Sequence, residues 1–239
     1  MLRAISDSLL SLAFPQECRV CSGPVAHSSD GVACETCWVD TKLFSGNEML
    51  CNKCGAFFSD AAAPVAVYCH KCDDHAYDRA FALGVYEKAL SASILHLKST
   101  PAVPVRLKTL INELATGIEA DLIIPAPLSK MRRIERGFNQ AALVARLVGA
   151  ASGIPVDDLS LHRKKHTPIH RVGMDQRARE LTVEKAFEVV RPNLVRDKNI
   201  LLVDDVLTSG STVSACAKVL KKNGARRVEV FTVARAVMH

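Results

Sequence analysis

The chain has 239 residues, 49% of them hydrophobic and 23% charged, which is typical of a folded globular protein. No stretch reaches the roughly 18 to 20 apolar residues that a membrane span requires, so the composition excludes a helical membrane protein, and we expect a cytoplasmic one. The net charge of +6 is compatible with phosphate-bearing partners but is too small to indicate nucleic-acid binding by itself.

The first segment, residues 1–15, has the spacing of a short amphipathic helix. Leu2, Ile5, Leu9 and Leu12 recur at nearly helical intervals, while Asp7 interrupts any signal-peptide core. We expect this helix to dock on the rest of the protein. A helix lying on a membrane surface is the alternative, and the single basic residue on the polar face disfavours it.

Eight of the nine cysteines occur as C-x2-C pairs, which in a cytosolic chain indicates metal ligands rather than disulfides. Two such pairs complete one tetrahedral Zn²⁺ site, so the pattern predicts two zinc ions. The predicted ligands are Cys18, Cys21, Cys34, Cys37, Cys51, Cys54, Cys69 and Cys72. If all eight thiolates bind zinc, no coordination position is left open for catalysis, and both sites are structural.

Alternatives stay open for this cysteine module. The pairs are also compatible with redox activity or with an iron–sulfur cluster. Spacing alone does not decide between sequential pairing of the cysteines, which gives two ribbons, and an interleaved pairing. His70 and His75 lie beside the last pair and are able to replace a thiolate.

The composition changes near residue 76, after the last paired cysteine. We expect a helix and double zinc ribbon over residues 1–77 and a second domain over residues 78–239. The predicted strands of the second domain are 80–86, 121–127, 186–190, 199–205 and 227–235, and the predicted helices are 88–98, 105–116, 138–150 and 210–223. Strands that alternate with helices predict an α/β fold, a mostly parallel sheet with helices on both faces.

The stretch ILLVDDVLTSGSTV, residues 200–213, carries the clearest functional signal. An apolar run typical of a central parallel strand ends on Asp204 and Asp205, and ligands bind beyond the carboxyl ends of such strands. The loop that follows leads into a helix and predicts a phosphate cradle built from Thr208, Ser209, Gly210, Ser211 and Thr212. Two carboxylates beside such a cradle suit a ribose 5-phosphate and a Mg²⁺ ion. The plainer interpretation is that the carboxylates only cap the turn.

The cysteine module, the segment PAPLSKMRRIERGFNQA at 125–141 and the acidic strand and loop together resemble the ComF family of natural DNA uptake. The likeness spans essentially the whole chain, and residues 132–141 (R-x-x-x-R-G-F-N-Q-A) are its most specific part. It implies a type I phosphoribosyltransferase-like sheet that binds 5-phosphoribosyl 1-pyrophosphate (PRPP) with Mg²⁺. Asp204 and Asp205 are then the catalytic pair at the ribose, and Arg132 and Arg136, in the loop after the second strand, face the pyrophosphate.

The basic segment 162–179 corresponds in such a fold to a hood over the site. One interpretation is that Lys164, Lys165 and Arg179 contact pyrophosphate or a polynucleotide backbone; the other is an exposed loop that is basic for solubility. The sequence departs from the family at Thr182, where Asn is usual.

Three functions follow from these patterns. The first is a phosphoribosyltransferase with an unidentified acceptor, and the second is a non-catalytic nucleic-acid-binding partner in the uptake of single-stranded DNA, working with other DNA-uptake proteins. The third is a protein regulated by PRPP without turnover.

Overall fold

The structure, a computed structural model, describes residues 16–61, 65–164 and 186–237. The predicted N-terminal helix over residues 1–15 lies outside the described residues. Among those described, no helix combines the length and the apolar character that crossing a membrane requires.

The cysteine module contains short elements around its cysteines. Strands β1 (Gln16–Glu17) and β2 (Pro24–Val25) form one antiparallel pair, and β3 (Met49–Leu50) and β4 (Phe57–Ser59) form another. One short helix, α1 (Glu35–Val39), and 3-10 turns at Ser28–Asp30 and His70–Cys72 complete the module.

A four-stranded parallel sheet forms the centre of the second part. Its strands are β5 (Arg79–Val85), β6 (Leu122–Pro125), β9 (Asn199–Leu207) and β10 (Arg227–Arg235), in the order β5-β10-β9-β6. An antiparallel hairpin of β7 (Leu161–Arg163) and β8 (Phe187–Val189) lies outside that sheet. The helices are α2 (Lys88–Ser99), α3 (Val105–Ala115), α4 (Lys130–Arg136), α5 (Gln140–Ser152), α6 (Pro192–Val195) and α7 (Ser211–Lys222).

The predicted fold class is confirmed, since every predicted strand and helix of the second part is present with only small shifts in its bounds. Two details differ. Strand β9 continues past the acidic pair, to Leu207. The segment after β6 was expected to be a loop but forms α4, because the Ser129 side chain accepts from the Arg132 N–H at 3.3 Å and Gly137, at φ +75°, ends the helix.

Alternating side chains of β9 pack into two separate cores, one on each face of the sheet. Leu201 and Val203 face the core that includes α2, α3 and α5. Ile200 and Leu202 face the core that includes α7 and the β7–β8 hairpin. This alternation is the period-two pattern expected of a strand with both faces covered.

The cysteine module packs against the edge strand β5. The N–H of Phe44 donates to the carbonyl of Leu83 at 2.8 Å, and the N–H of Val85 donates to the carbonyl of Lys42 at 2.9 Å. Farther along the same edge, the N–H of Ala80 donates to the carbonyl of Lys53 at 2.7 Å. These bonds satisfy edge groups that would otherwise be free to pair with another chain.

Candidate functional site

The eight paired cysteines form two groups in the sequential order, which resolves the pairing that the sequence left open. The first group is Cys18, Cys21, Cys34 and Cys37, and the second is Cys51, Cys54, Cys69 and Cys72. The imidazole of His70 instead lies 3.6 Å from Asp73, and that of His75 is hydrogen-bonded to Tyr77. Neither histidine belongs to a group.

The sulfur geometry fits zinc. Four thiolates at about 2.3 Å from one ion lie about 3.8 Å from each other. The sulfur atoms of Cys21 and Cys34 are 3.7 Å apart in the first group, and those of Cys51 and Cys72 are 3.6 Å apart in the second. With four cysteine sulfurs in each group, this donor set supports two structural zinc ions.

Backbone N–H groups point at the sulfur of Cys51. Those of Cys54 and Cys69 lie 3.5 and 3.3 Å away. Burial opposes ionisation of this thiol, but the N–H groups outweigh it and lower the pKa of Cys51 to about 7. These N–H groups therefore favour the thiolate form of Cys51, which metal binding requires. At Cys54 burial has the larger effect and raises the pKa to about 11.

The acidic pair lies near the carboxyl end of β9, in the middle of the sheet. Both side chains are half-buried. Loss of hydration, together with the neighbouring charge of Asp205, raises the pKa of Asp204 to about 7. A site that holds two adjacent carboxylates at this cost is suited to a cationic or hydroxyl-bearing ligand.

Two side chains that the sequence analysis did not select contact Asp205. The Gln140 amide, at the start of α5, donates to Asp205 Oδ2 at 3.1 Å, and the Lys98 ammonium, near the end of α2, lies 3.5 Å from the same oxygen. Gln140 is 3% exposed, and its Oε1 has no hydrogen-bond partner among the described residues. Three elements therefore converge on one carboxylate.

The segment R-G-F-N-Q, residues 136–140, positions Gln140 for this contact with Asp205. Asn139 caps α5 by accepting from the Ala141 N–H at 3.1 Å, and its amide donates to the Ala126 carbonyl at 3.0 Å. These two bonds fix Gln140 beside Asp205. The motif therefore contained the signal for Gln140, whereas nothing in the sequence around Lys98 marked it.

The predicted phosphate loop is a tight turn between β9 and α7. Gly210 adopts φ +78° and precedes the first turn of α7, while Thr208, Ser209 and Ser211 are exposed. The hydroxyls of Ser209 and Ser211 lie 3.0 Å apart. Unpaired N–H groups at a helix N-terminus and adjacent hydroxyls are suited to an anion.

The far side of this loop packs against the second cysteine group. Arg235, which is 3% exposed, donates through Nη1 to the carbonyl oxygens of Leu207, at 2.7 Å, and Thr208. Its Nη2 lies 3.8 Å from Cys54 Sγ. The sequence analysis missed Arg235, although a charged residue that ends an apolar strand is a signal for a buried partner.

The predicted basic residues are placed differently from one another. Arg136 is half-buried, and its Nη1 has no partner among the described residues, whereas Arg132 is exposed on α4. Lys164 lies 3.6 Å from Glu188 across the β7–β8 hairpin. Lys165 and Arg179 lie outside the described residues.

A large cavity, of about 820 Å³, lies away from this chemistry. Its lining includes Arg79, Asn199 and Arg227, the first residues of β5, β9 and β10. The cavity therefore lies at the amino ends of the strands, opposite the acidic pair, and belongs to a different surface.

Each part of the chain matches a known protein family. Residues 136–237 match the family described as phosphoribosyl transferase domain, and residues 9–73 match the family described as double zinc ribbon domain. Both matches agree with the class that the fold and the cysteine geometry define, a phosphoribosyltransferase-like parallel sheet preceded by a module of zinc-ribbon form.

Relatives with assigned names are similar over nearly the whole chain. DNA utilization protein YhgH of Salmonella typhimurium is 29% identical, with 95% of this chain and 100% of that protein covered. Competence protein F of Haemophilus influenzae is 28% identical, with coverage of 93% and 98%. The predicted resemblance to the ComF family is confirmed.

Among solved structures, glutamine phosphoribosylpyrophosphate amidotransferase from Bacillus subtilis is similar, at 22% identity and a TM-score of 0.42. That match covers 58% of this chain and 30% of the amidotransferase, so this chain spans less than a third of the amidotransferase's length.

Proposed function

We propose that the protein binds PRPP, or a closely related phosphoribosyl ligand, together with Mg²⁺. The observation that carries this proposal is a half-buried carboxylate pair next to a glycine turn and a helix N-terminus, at the carboxyl end of a central parallel strand. The match to a phosphoribosyl transferase domain includes all of these residues.

Each part of the site has a role in this proposal. The N–H groups and hydroxyls of residues 208–212 hold the 5-phosphate. Asp204 and Asp205 accept hydrogen bonds from the ribose hydroxyls, and Gln140 and Lys98 hold Asp205 in place. Arg136, with a guanidinium nitrogen that has no described partner, faces the pyrophosphate, assisted by Arg132.

Transfer of the phosphoribosyl group would require charge stabilisation more than proton transfer. Positive charge develops on the ribose and negative charge on the leaving pyrophosphate, and bound Mg²⁺ would neutralise the latter. The chain supplies Arg132 and Arg136 for the leaving pyrophosphate and the carboxyl end of the central strand β9 for the ribose. The acceptor of the transferred group is a separate question, and binding of PRPP does not depend on its answer.

A calorimetric titration of PRPP with Mg²⁺ tests the proposal directly. The wild-type protein should bind, and an Asp204→Asn/Asp205→Asn variant with the same zinc content should bind at least about 100-fold more weakly, since each charged hydrogen bond is worth about 1.5 to 3 kcal/mol.

The matched control for this titration is Asp158→Asn/Asp197→Asn. It removes the same charge from two exposed positions, and Asn tolerates the φ of +59° at Asp197. The control variant should bind as the wild type does. Absence of binding by the wild type would overturn the proposal.

A role in the uptake of single-stranded DNA is the second candidate function. The relatives named competence protein F and DNA utilization protein YhgH favour it, and so does the net charge of +6. In this proposal the protein works in the cytoplasm with DNA-uptake partners, and the basic segment 162–179 contacts the strand. Binding of a single-stranded oligonucleotide that weakens steeply with salt and survives the Asp204→Asn/Asp205→Asn change would support it.

A further inference from the structure

Arg235 joins the second cysteine group to the phosphate loop. Its Nη1 donates to the carbonyls of Leu207 and Thr208, and its Nη2 lies 3.8 Å from the sulfur of Cys54. A guanidinium that is 3% exposed is costly unless acceptors satisfy its N–H groups and an anion balances its charge. The carbonyls supply the acceptors for Nη1, and a zinc-bound thiolate at Cys54 would supply the negative charge beside Nη2. The Nε of Arg235 has no partner among the described residues.

The backbone after Cys72 makes a second connection. The N–H of His75 donates to the Cys72 carbonyl at 3.1 Å, and the next N–H, that of Ala76, donates to Ser214 Oγ at 3.0 Å in the first turn of α7. The His75 ring packs beside Gly210, and a Cβ atom at residue 210 would lie 2.6 Å from that ring. The segment that leaves the second cysteine group thus contacts both the turn and the helix behind it.

These contacts determine which way the loop's N–H groups point. In a trans peptide the C=O and N–H of one unit point in opposite directions. Because Arg235 holds the carbonyls of Leu207 and Thr208, the N–H groups of Thr208 and Ser209 point away from it, toward the side on which both residues are exposed. A phosphate would approach from that side.

We propose that Arg235 and His75 are positioning residues that couple the second zinc site to the phosphate loop. Zinc keeps Cys54 as a thiolate and keeps the segment after Cys72 in place, and both in turn fix the anion-binding conformation of residues 207–212. The first cysteine group packs on the other face of the sheet, with α2 and α3, and has no such role. The inference rests on the proposed function in that it takes this loop as the anion site.

Amide hydrogen exchange of the zinc-loaded protein tests the coupling without any ligand. Within residues 207–214, Arg235→Met should raise the exchange rate of hydrogen-bonded amides by about tenfold or more, because charged hydrogen bonds of the arginine are lost. The amide of Ser214, which donates to the Gly210 carbonyl at 2.8 Å, is one such reporter. Residues 200–203 of β9 should keep their protection. The matched control is Arg227→Met, which removes the same charge at the other end of β10, where the guanidinium lies 2.6 Å from Glu229 at the surface.

A conservative variant and a zinc-site variant complete this experiment. Arg235→Lys, which keeps the charge but loses the fork of donors, should restore part of the protection. Cys69→Ser, in the second group, should raise exchange in residues 207–214, whereas Cys34→Ser, in the first group, should not. The proposal is wrong if the exchange rates of this segment are equal in Arg235→Met and Arg227→Met. If Arg235→Met does not fold, the comparison of Cys69→Ser with Cys34→Ser decides, and equal exchange rates in those two variants would overturn the proposal.

Ribose 5-phosphate then separates this inference from the proposed function. Its affinity should fall about tenfold in Arg235→Met and stay unchanged in Arg227→Met. If the wild type fails to bind ribose 5-phosphate or PRPP, the proposed function is wrong, and the exchange data still decide whether the zinc site and the loop are coupled.

Discussion

At Asp204, the charged carboxylate that the proposed function uses lowers the stability of the folded protein. Desolvation and the adjacent Asp205 raise its pKa from 3.8 to about 7. An unfolded chain releases this proton near pH 4, so between about pH 4 and 7 the folded protein binds more protons than the unfolded one. The contribution of Asp204 to stability is therefore lost as the pH rises through this window.

Asp204→Asn should accordingly stabilise the protein at pH 8, by a few degrees in the melting temperature, and much less at pH 5. Asn keeps the size of the side chain but carries no charge to bury. The measurement is a pair of thermal melts at each pH, with Asp158→Asn as a control that should show no such difference. An equal shift at both pH values would contradict the raised pKa.

The turn between β9 and α7 shows how an element depends on one glycine. Gly210 has φ +78°, a backbone conformation that L side chains rarely adopt, and a Cβ atom there would lie only 2.6 Å from the His75 ring. That ring cannot move aside easily, because its Nδ1 is 2.6 Å from the hydroxyl of Tyr77, which is 1% exposed. Glycine is required here for two separate reasons.

Gly153→Ala measures the cost of the backbone conformation alone, so the difference between it and Gly210→Ala isolates the contact with His75. Gly153 has nearly the same φ, +76°, but nothing within 4 Å of the Cβ position. Both substitutions carry the left-handed cost of about 1 to 2 kcal/mol, and Gly210→Ala should cost at least about 1 kcal/mol more, from the contact with His75. Urea unfolding measures both.

The Gly210→Ala/His75→Ala double variant should recover much of that excess, because the ring is then absent. If Gly210→Ala and Gly153→Ala lose the same free energy of unfolding, the packing of His75 against the turn is not what constrains it.

At the scale of the whole molecule, the two zinc ribbons pack on opposite faces of the sheet. Cys18, Cys37 and Trp38 belong to the core with α2 and α3, whereas Cys51, Cys54 and Cys72 belong to the core with α7. Trp38 is buried, donates to the Asp30 carbonyl at 2.8 Å, and lies 5.5 Å from the Arg106 guanidinium of α3. The cysteine module is therefore part of both cores and not an appended unit.

The sequence predicted the features that depend on local pattern. The apolar run before Asp204 and the regular C-x2-C spacing predicted the sheet and both zinc sites without knowledge of tertiary contacts. Lys98, Arg235 and the sequential grouping of the cysteines required the fold, because each depends on which distant segments meet. Gln140 lies between the two cases, since its motif was recognised but its contact with Asp205 was not.

Removal of zinc should destabilise the whole protein because both cores include cysteine ligands. Native mass spectrometry should detect two zinc ions per chain, and a strong chelator should lower the melting temperature by roughly 10 °C or more. The fluorescence of Trp38, the single tryptophan, should shift to the red as its face of the sheet becomes exposed.

Cys216→Ala is the control for this experiment, since Cys216 is buried in α7 and belongs to neither cysteine group. This variant should retain two zinc ions and the same sensitivity to chelator. If the chelated protein instead loses both ions with no change in melting temperature or in Trp38 fluorescence, the ribbons do not support the cores. The contacts between the cysteine module and both cores would then be present without stabilising the folded protein.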